Sequence, residues 1–329
     1  TVEYGTSGAT VNIVYSGASK GWTPISDDVV TDAPVAPPTQ KAIFAFGFVN
    51  AGSETNVSNL VSSNGTVGND VTGVGTARTY FCGASYGSDK GIMAFGGALT
   101  GANKTGVSNL ISNQGVVASD TSAVGTARLN PGAAGFGTTG QAIFAYGSSA
   151  SGNSTIVNFI SNSGVVASDS SGAGTARNNP EGARYGVGLA IMAYGDTGSN
   201  TNISNKISSS GVIASDTSGV GTARTGLGGT SYGGDKAIFA YGTGDTNISN
   251  LVSNTGVVSS DVSGVGTARN NVAGTNYGGD LGLFGYGLSG STNQNMTNKV
   301  SNQGVVASDT TGVGTARVMP SACGYSLSA

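Results

Sequence analysis

The chain has 329 residues, 57 of them glycine, with only 9% charged side chains, no histidine and a formal charge of −3 at pH 7. No basic cluster offsets that charge, which excludes a nucleic-acid surface, and no apolar run approaches the roughly 20 residues of a membrane helix. Without histidine the commonest general base and the commonest metal ligand are both missing, so a Ser-His-Asp triad is excluded.

Residues 1–40 precede any repetition. Ala9-Thr-Val-Asn-Ile-Val-Tyr15 alternates like a strand, Ser16-Gly17 supplies a turn, and Gly21-Trp-Thr-Pro-Ile25 reads as its partner. Asp32-Ala-Pro34-Val-Ala-Pro37-Pro38-Thr-Gln40 then reads as an extended linker. A lone hairpin is marginal by itself. Val11, Ile13, Tyr15, Trp22 and Ile25 are therefore candidate anchor residues for docking on a neighbouring subunit, the alternative being a strap folded back on its own chain.

From Lys41 onward the chain repeats. Apolar runs ending in an aromatic-Gly pair stand at Ala42–Gly47, Ile92–Gly96, Ala142–Gly147, Ala190–Gly195, Ala237–Gly242 and Gly282–Gly287. Their length and flanking turn residues predict buried strands. An alternating segment follows each, as in Asn247–Ser253, then a tight turn such as Asn254-Thr-Gly256, then a short strand such as Val257-Val-Ser259. Each unit closes on Gly-Thr-Ala-Arg, at Arg78, Arg128, Arg177, Arg224, Arg269 and Arg317. A loose stretch ending in aromatic-Gly leads into the next unit and predicts a further strand. Successive arginines lie 50, 49, 47, 45 and 48 residues apart. Four predicted strands in a period of that size describe the blade of a propeller. The first unit lacks its leading strand, and Val318–Tyr325 is that piece with nothing after it. The expectation is an all-β chain: a hairpin arm and linker over 1–40, and a six-bladed propeller over 41–329, its first blade completed by the C-terminal strand.

These units resemble the kelch repeat, on Ile92-Met-Ala-Phe-Gly96-Gly97 and Gly221-Thr-Ala-Arg224. The chain departs from the family where one unit alone keeps the double glycine and where Val117, Val166, Val258 and Val306 replace an outer-strand Trp. Galactose-oxidase-like copper chemistry on a kelch ring needs His ligands, which this chain lacks. With its low charge and near-identical Asn/Ser/Thr/Gly-rich units, the chain is also similar to phage virion components carrying kelch-like repeats. That resemblance implies a non-enzymatic virion protein, a tail fibre or spike component or a capsid decoration, in a homo- or hetero-oligomeric assembly. It would be assembled in the host cytoplasm, held to other virion subunits by the arm, and face a host-surface glycan or receptor. The alternative is a free-standing bacterial propeller that binds carbohydrate or protein.

Eight positions before each repeated arginine stands an aspartate: Asp70, Asp120, Asp169, Asp216, Asp261 and Asp309. A group present in every unit builds the unit, so these predict loop caps or ion pairs within a blade or to the next rather than catalysis. Cys82 and Cys323 predict two small buried thiols or a bridge between adjacent blades, and no zinc site. Asp196-Thr-Gly-Ser-Asn200 and Gly244-Asp-Thr-Asn247 predict turns, because calcium loops need more carboxylates at close spacing. No cofactor is expected. A carboxylate-only hydrolase would have to use acids such as Asp89, Asp235 and Asp280, which also recur by position. The loops Phe48–Asn56, Ala98–Gly106, Ser148–Thr155, Asp196–Asn202, Thr243–Asn247 and Leu288–Met296 vary most, and are expected on one face.

Overall fold

The computed structural model describes residues 11–15, 22–27, 39–49, 53–98 and 103–329, and every regular element among them is a strand. The chain divides into two compact units, Thr1–Val35 and Ala36–Ala329. In the first, Val11–Tyr15 pairs antiparallel with Trp22–Asp27, with Tyr15 opposite Trp22 and Ile13 opposite Pro24. Ile25 occupies the bulge between them. Residues 32–38 of the predicted linker lie outside the described residues.

Among the described residues the second unit holds six antiparallel sheets of three or four strands, one per sequence repeat, and two short two-stranded ribbons. In each sheet the apolar run is the middle strand: Lys41–Val49, Lys90–Ala94, Gln141–Ala145, Leu189–Asp196, Lys236–Gly242 and Leu281–Gly285. These strands are buried almost throughout, which is why they read as continuous apolar runs. The first sheet takes its leading strand from the far end of the chain: Ser321–Tyr325 pairs with Lys41–Val49, Tyr325 opposite Lys41 and Ser321 opposite Ala45.

The predicted fourth strand is largely absent. The third sheet has a two-residue outer strand, Ser170–Ser171, but it lies beyond the predicted Val-Val segment. Elsewhere the outer strand shrinks to isolated bridges such as Ile111↔Val117 and Ser108↔Thr121. A side chain takes the place of the missing ladder. Asn109 Nδ2 donates to Ala118 O at 3.0 Å and to Asp120 Oδ1 at 2.8 Å, and Asn59, Asn158, Asn205, Asn250 and Asn298 repeat the arrangement.

The hydrophobic core lies between sheets rather than inside any one. Ile43, Ala45 and Phe46 of the first sheet pack with Met93 and Ile111 of the second, and five further clusters join the remaining neighbours, including sixth to first. Leading strands pack in the same order: Cys82–Tyr86 against Gly132–Phe136, onward through Ala273–Tyr277 against Ser321–Tyr325, and Ser321–Tyr325 against Cys82–Tyr86. The turns after these strands bond to each other as well, in the order Gly87 N to Gly140 O, Gly137 N to Gly188 O, Gly186 N to Asp235 O, Gly233 N to Asp280 O, Gly278 N to Gln40 O and Ser326 N to Asp89 O. Gln40 thus serves as a turn of the larger unit. Thr39 beside it is buried and accepts from Asn276 Nδ2.

Candidate functional site

The repeated Asp and Arg side chains meet between sheets. The geometry starts at the aromatic-Gly pair. Phe46, Phe95, Tyr146, Tyr194, Tyr241 and Tyr286 all have positive φ, 58–67°, and in the first, fourth and fifth sheets the strand register shifts there. Each ring is thereby turned to lie beneath the arginine that ends its unit. The guanidinium carbons sit 3.8–4.7 Å from the ring centroids, Arg128 over Phe95 being the closest and Arg78 over Phe46 the farthest. The glycine that follows is needed for space too: a Cβ on Gly47 would stand 2.9 Å from Val318 O.

Each arginine then reaches into the next sheet. Arg78 donates from Nε to Phe95 O (3.0 Å) and from Nη2 to Asn109 Oδ1 (2.6 Å). Arg317 donates to Phe44 O of the first sheet at 3.4 Å. All six arginines are at most 2% exposed. Burial lowers Arg78 and Arg128 to about 10, which leaves both protonated at neutral pH.

The aspartates clamp the preceding unit. Asp120 accepts from Thr76 N at 3.1 Å and from Thr76 Oγ1 at 2.6 Å. The same bonds join Asp169 to Thr126, Asp216 to Thr175, Asp261 to Thr222, Asp309 to Thr267, and Asp70 to Thr315. Burial pushes the Asp120 carboxyl up, but hydrogen bonds from Thr76 and Asn109 outweigh it and hold the carboxyl below its ordinary range; the other five behave alike. Ion pairing is secondary. Only Arg78–Asp120 and Arg269–Asp309 come within ion-pair range, both at 3.9 Å. Each aspartate therefore caps a loop of the neighbouring unit, and the bond runs between sheets. The sequence reading missed their partners, the Thr of Gly-Thr-Ala-Arg and the Asn eleven positions before each Asp. The signal was available, since both residues recur in all six units.

Among the other candidates, Cys82 and Cys323 are free thiols, with Cys82 partly buried and Cys323 buried. Asp196 Oδ1 accepts from Gly198 N at 2.6 Å, and Asp245 accepts from Asn270 Nδ2 and from Gly290 N. Both carboxylates therefore order turns. Among the described residues no group of three or more Cys, Asp or Glu stands close enough to hold a metal ion. Tyr15 of the candidate anchor is 56% exposed. The variable loops contact one another in sequence: Lys104 Nζ donates to Ser148 O and Ser149 O, Asn153 to Asp196 O, Asn200 to Thr243 Oγ1, and Asn293 to Phe48 O. Residues 50–52 and 99–102 of these loops lie outside the described residues.

One acid stands apart from the repeat. Glu181 opens the leading strand of the fourth sheet, where the other units carry Cys82, Gly132, Gly228, Ala273 and Ser321. Burial raises its carboxyl to about 8, against an opposing hydrogen bond from the Gly229 backbone. No protein-family model matches this chain, and no curated protein matches it.

Proposed function

We propose that Ala36–Ala329 is a six-bladed β-propeller serving as a non-enzymatic structural and binding module of a virion, with the N-terminal hairpin as its attachment to other subunits. The observation that carries the propeller is the clamp series, in which Asp70 of the first unit takes Thr315 of the last as each Asp takes the preceding unit's Thr. A closed ring hides sheet edges that would otherwise template aggregation. The non-enzymatic reading is supported by how the recurring ionised groups are used: six arginines and six aspartates are spent on joining sheets. The surfaces left to vary are the linked loops at the ends of the middle strands, where recognition on a rigid scaffold usually sits. A free-standing binding module would share that face and differ only in having nothing for the hairpin to hold.

The test compares the full chain with a Tyr15→Ser/Trp22→Ser variant, by sedimentation velocity and by co-sedimentation with the source particle. The expected result is association by the parent chain and its loss in the variant, with unchanged melting. Identical free monomers in both would overturn the attachment role.

A further inference from the structure

The six junctions between neighbouring sheets serve as internal controls for one another, and one of them differs. Three positions repeat in each sheet beside its junction, and the aromatic ring at the first of them lies against the glycine of the next sheet's hairpin turn. They are the last residue of the leading strand, the first of the middle strand, and the residue after the repeated Asn of the third strand. In five sheets the first of these is tyrosine: Tyr86, Tyr185, Tyr232, Tyr277 and Tyr325. In the same five the other two are always one lysine and one leucine: Lys41 with Leu60, Lys90 with Leu110, Lys236 with Leu251, Leu189 with Lys206, and Leu281 with Lys299. The two lysines on third strands reach the next sheet's turn, Lys206 to Thr255 O at 2.9 Å and Lys299 to Asn64 O at 2.8 Å.

The third sheet has Phe136, Gln141 and Phe159 at these positions. The third sheet thus lacks both the tyrosine hydroxyl and the lysine that the other five carry at these positions. The facing turn is cut back as well: Ser209-Ser210 stands where other units carry pairs such as Asn113-Gln114, Asn254-Thr255 and Asn302-Gln303. The result is an open cleft of about 400 Å³ between the third and fourth sheets. Phe136 and Phe159 line it with their rings edge to face, centroids 6.0 Å apart. Ser161, Ser209 and Ser210 also line it, as does Gln141, whose Oε1 is buried without a hydrogen-bond partner. Among the described residues no ionisable side chain contributes to its walls.

We propose that this cleft binds one neutral hexopyranose residue of a surface glycan. Its volume lies at the lower end of the range for ligand sites, which suits a single ring. Aromatic rings offer a platform for the apolar C–H face of a pyranose, whose hydroxyls then meet the serine rim and the Gln141 carboxamide. An anionic sugar would find no counter-charge, and a purely aromatic ligand would leave Gln141 Oε1 unsatisfied. The proposal deepens the recognition half of the reading above and does not use the hairpin. Attachment without hexose binding would retire this proposal alone, and hexose binding without attachment would retire the virion role alone.

The experiment is saturation-transfer-difference NMR on the full chain. The probes are glucose, galactose, mannose and N-acetylglucosamine, with N-acetylneuraminic acid and indole as contrasts. Three variants restore residues that the other junctions carry: Phe159→Leu, Gln141→Lys and Ser210→Gln. The expected result is transfer to the ring protons of at least one neutral hexose, with Kd on the order of 1 mM, the scale for about a dozen heavy atoms at ordinary ligand efficiency. Binding should weaken at least tenfold in each variant, with melting temperatures kept. Absence of hexose binding in the parent chain overturns the proposal. So does binding unchanged across all three variants, or preference for indole or N-acetylneuraminic acid at equal concentration.

Discussion

The six buried arginines fall into two sets, although the four residues ending on each are identical. Arg78, Arg224 and Arg269 donate from Nε to the aromatic carbonyl of the next sheet, and from Nη2 to its repeated Asn. Among the described residues Arg128, Arg177 and Arg317 have no partner at Nε, and the Oδ1 atoms of Asn158, Asn205 and Asn59 opposite them have no donor. Three residues downstream the first set carries Phe81, Leu227 and Val272, and the second carries Pro131, Pro180 and Pro320. Proline has no N–H and a fixed φ. In the proline units the residue before it supplies the backbone link to the preceding unit, as in Asn130 N to Tyr80 O and Asn179 N to Asn130 O, whereas Val272 donates its own N–H to Gly226 O. One imino acid at the entry to a leading strand thus goes with a different seat for an arginine in the wall of the sheet. A rigid entry segment is set against a fully bonded cation.

The largest effect that would test this contrast is removal of the arginines themselves. Arg224→Ala leaves Asn250 Oδ1 and Tyr241 O without donors and opens a void, an expected loss of about 3–5 kcal/mol in chemical denaturation. Arg177→Ala should cost about 1–2 kcal/mol less, since Asn205 Oδ1 has no donor to lose. Equal losses would mean that the two sets differ in geometry and not in energy.

The clamps come next. Asp120→Ala, on the ion-paired side of the contrast, should cost about 1.5–3 kcal/mol at pH 7, the scale for hydrogen bonds to a charged group. Because the folded carboxyl is held below its unfolded value, its contribution is present above the unfolded value near 3.8 and disappears as pH falls through the folded pKa. Denaturation midpoints of the parent chain should therefore drop below about pH 4, and those of Asp120→Ala should drop less steeply. Parallel pH profiles would show that the carboxylate is unlinked to folding.

The smallest effect is the most specific. Pro180→Val gives the fourth unit the entry residue of the first set. Its own stability should move by less than about 1 kcal/mol, lost chain restriction offsetting a recovered hydrogen bond. In that background, however, Arg177→Ala should cost about 1 kcal/mol more than in the parent chain, read as a coupling energy in a double-mutant cycle. Zero coupling would break the link drawn here between the proline and the seat of the arginine.

How much of this the sequence disclosed depends on the range of the interaction. The middle strands, the tight hairpin turns and the use of Ser321–Tyr325 in the first sheet follow from local apolar runs and turn residues, and the sequence reading finds them. The fourth strands were over-read, because Val-Val pairs look like a strand and nothing local reveals that Asn109 will take over the bonds of the ladder. The Asp/Arg frame left two readings open, a contact within the unit or one to its neighbour. Asp120 lies eight residues before Arg128, yet the arginine it approaches is Arg78 and the threonine it binds is Thr76, both more than forty residues earlier. Sequence proximity reflected the repeat, and sheet neighbours set the contact. The cleft at Phe136 and Phe159 becomes legible only when the six junctions are laid over one another, since neither residue is unusual alone.

The pairing of Ser321–Tyr325 with Lys41–Val49 has a mechanical consequence. Tyr325 lies opposite Lys41, so the chain enters the first strand and leaves the last at the same end of an antiparallel pair. Tension between the segment before Lys41 and the segment after Tyr325 would part the two strands as a zipper, with the load on one rung of the ladder at a time. A pull through the N-terminal segment alone, against a surface held elsewhere on the larger unit, spares that seam. The tether position decides whether the first sheet resists force or peels.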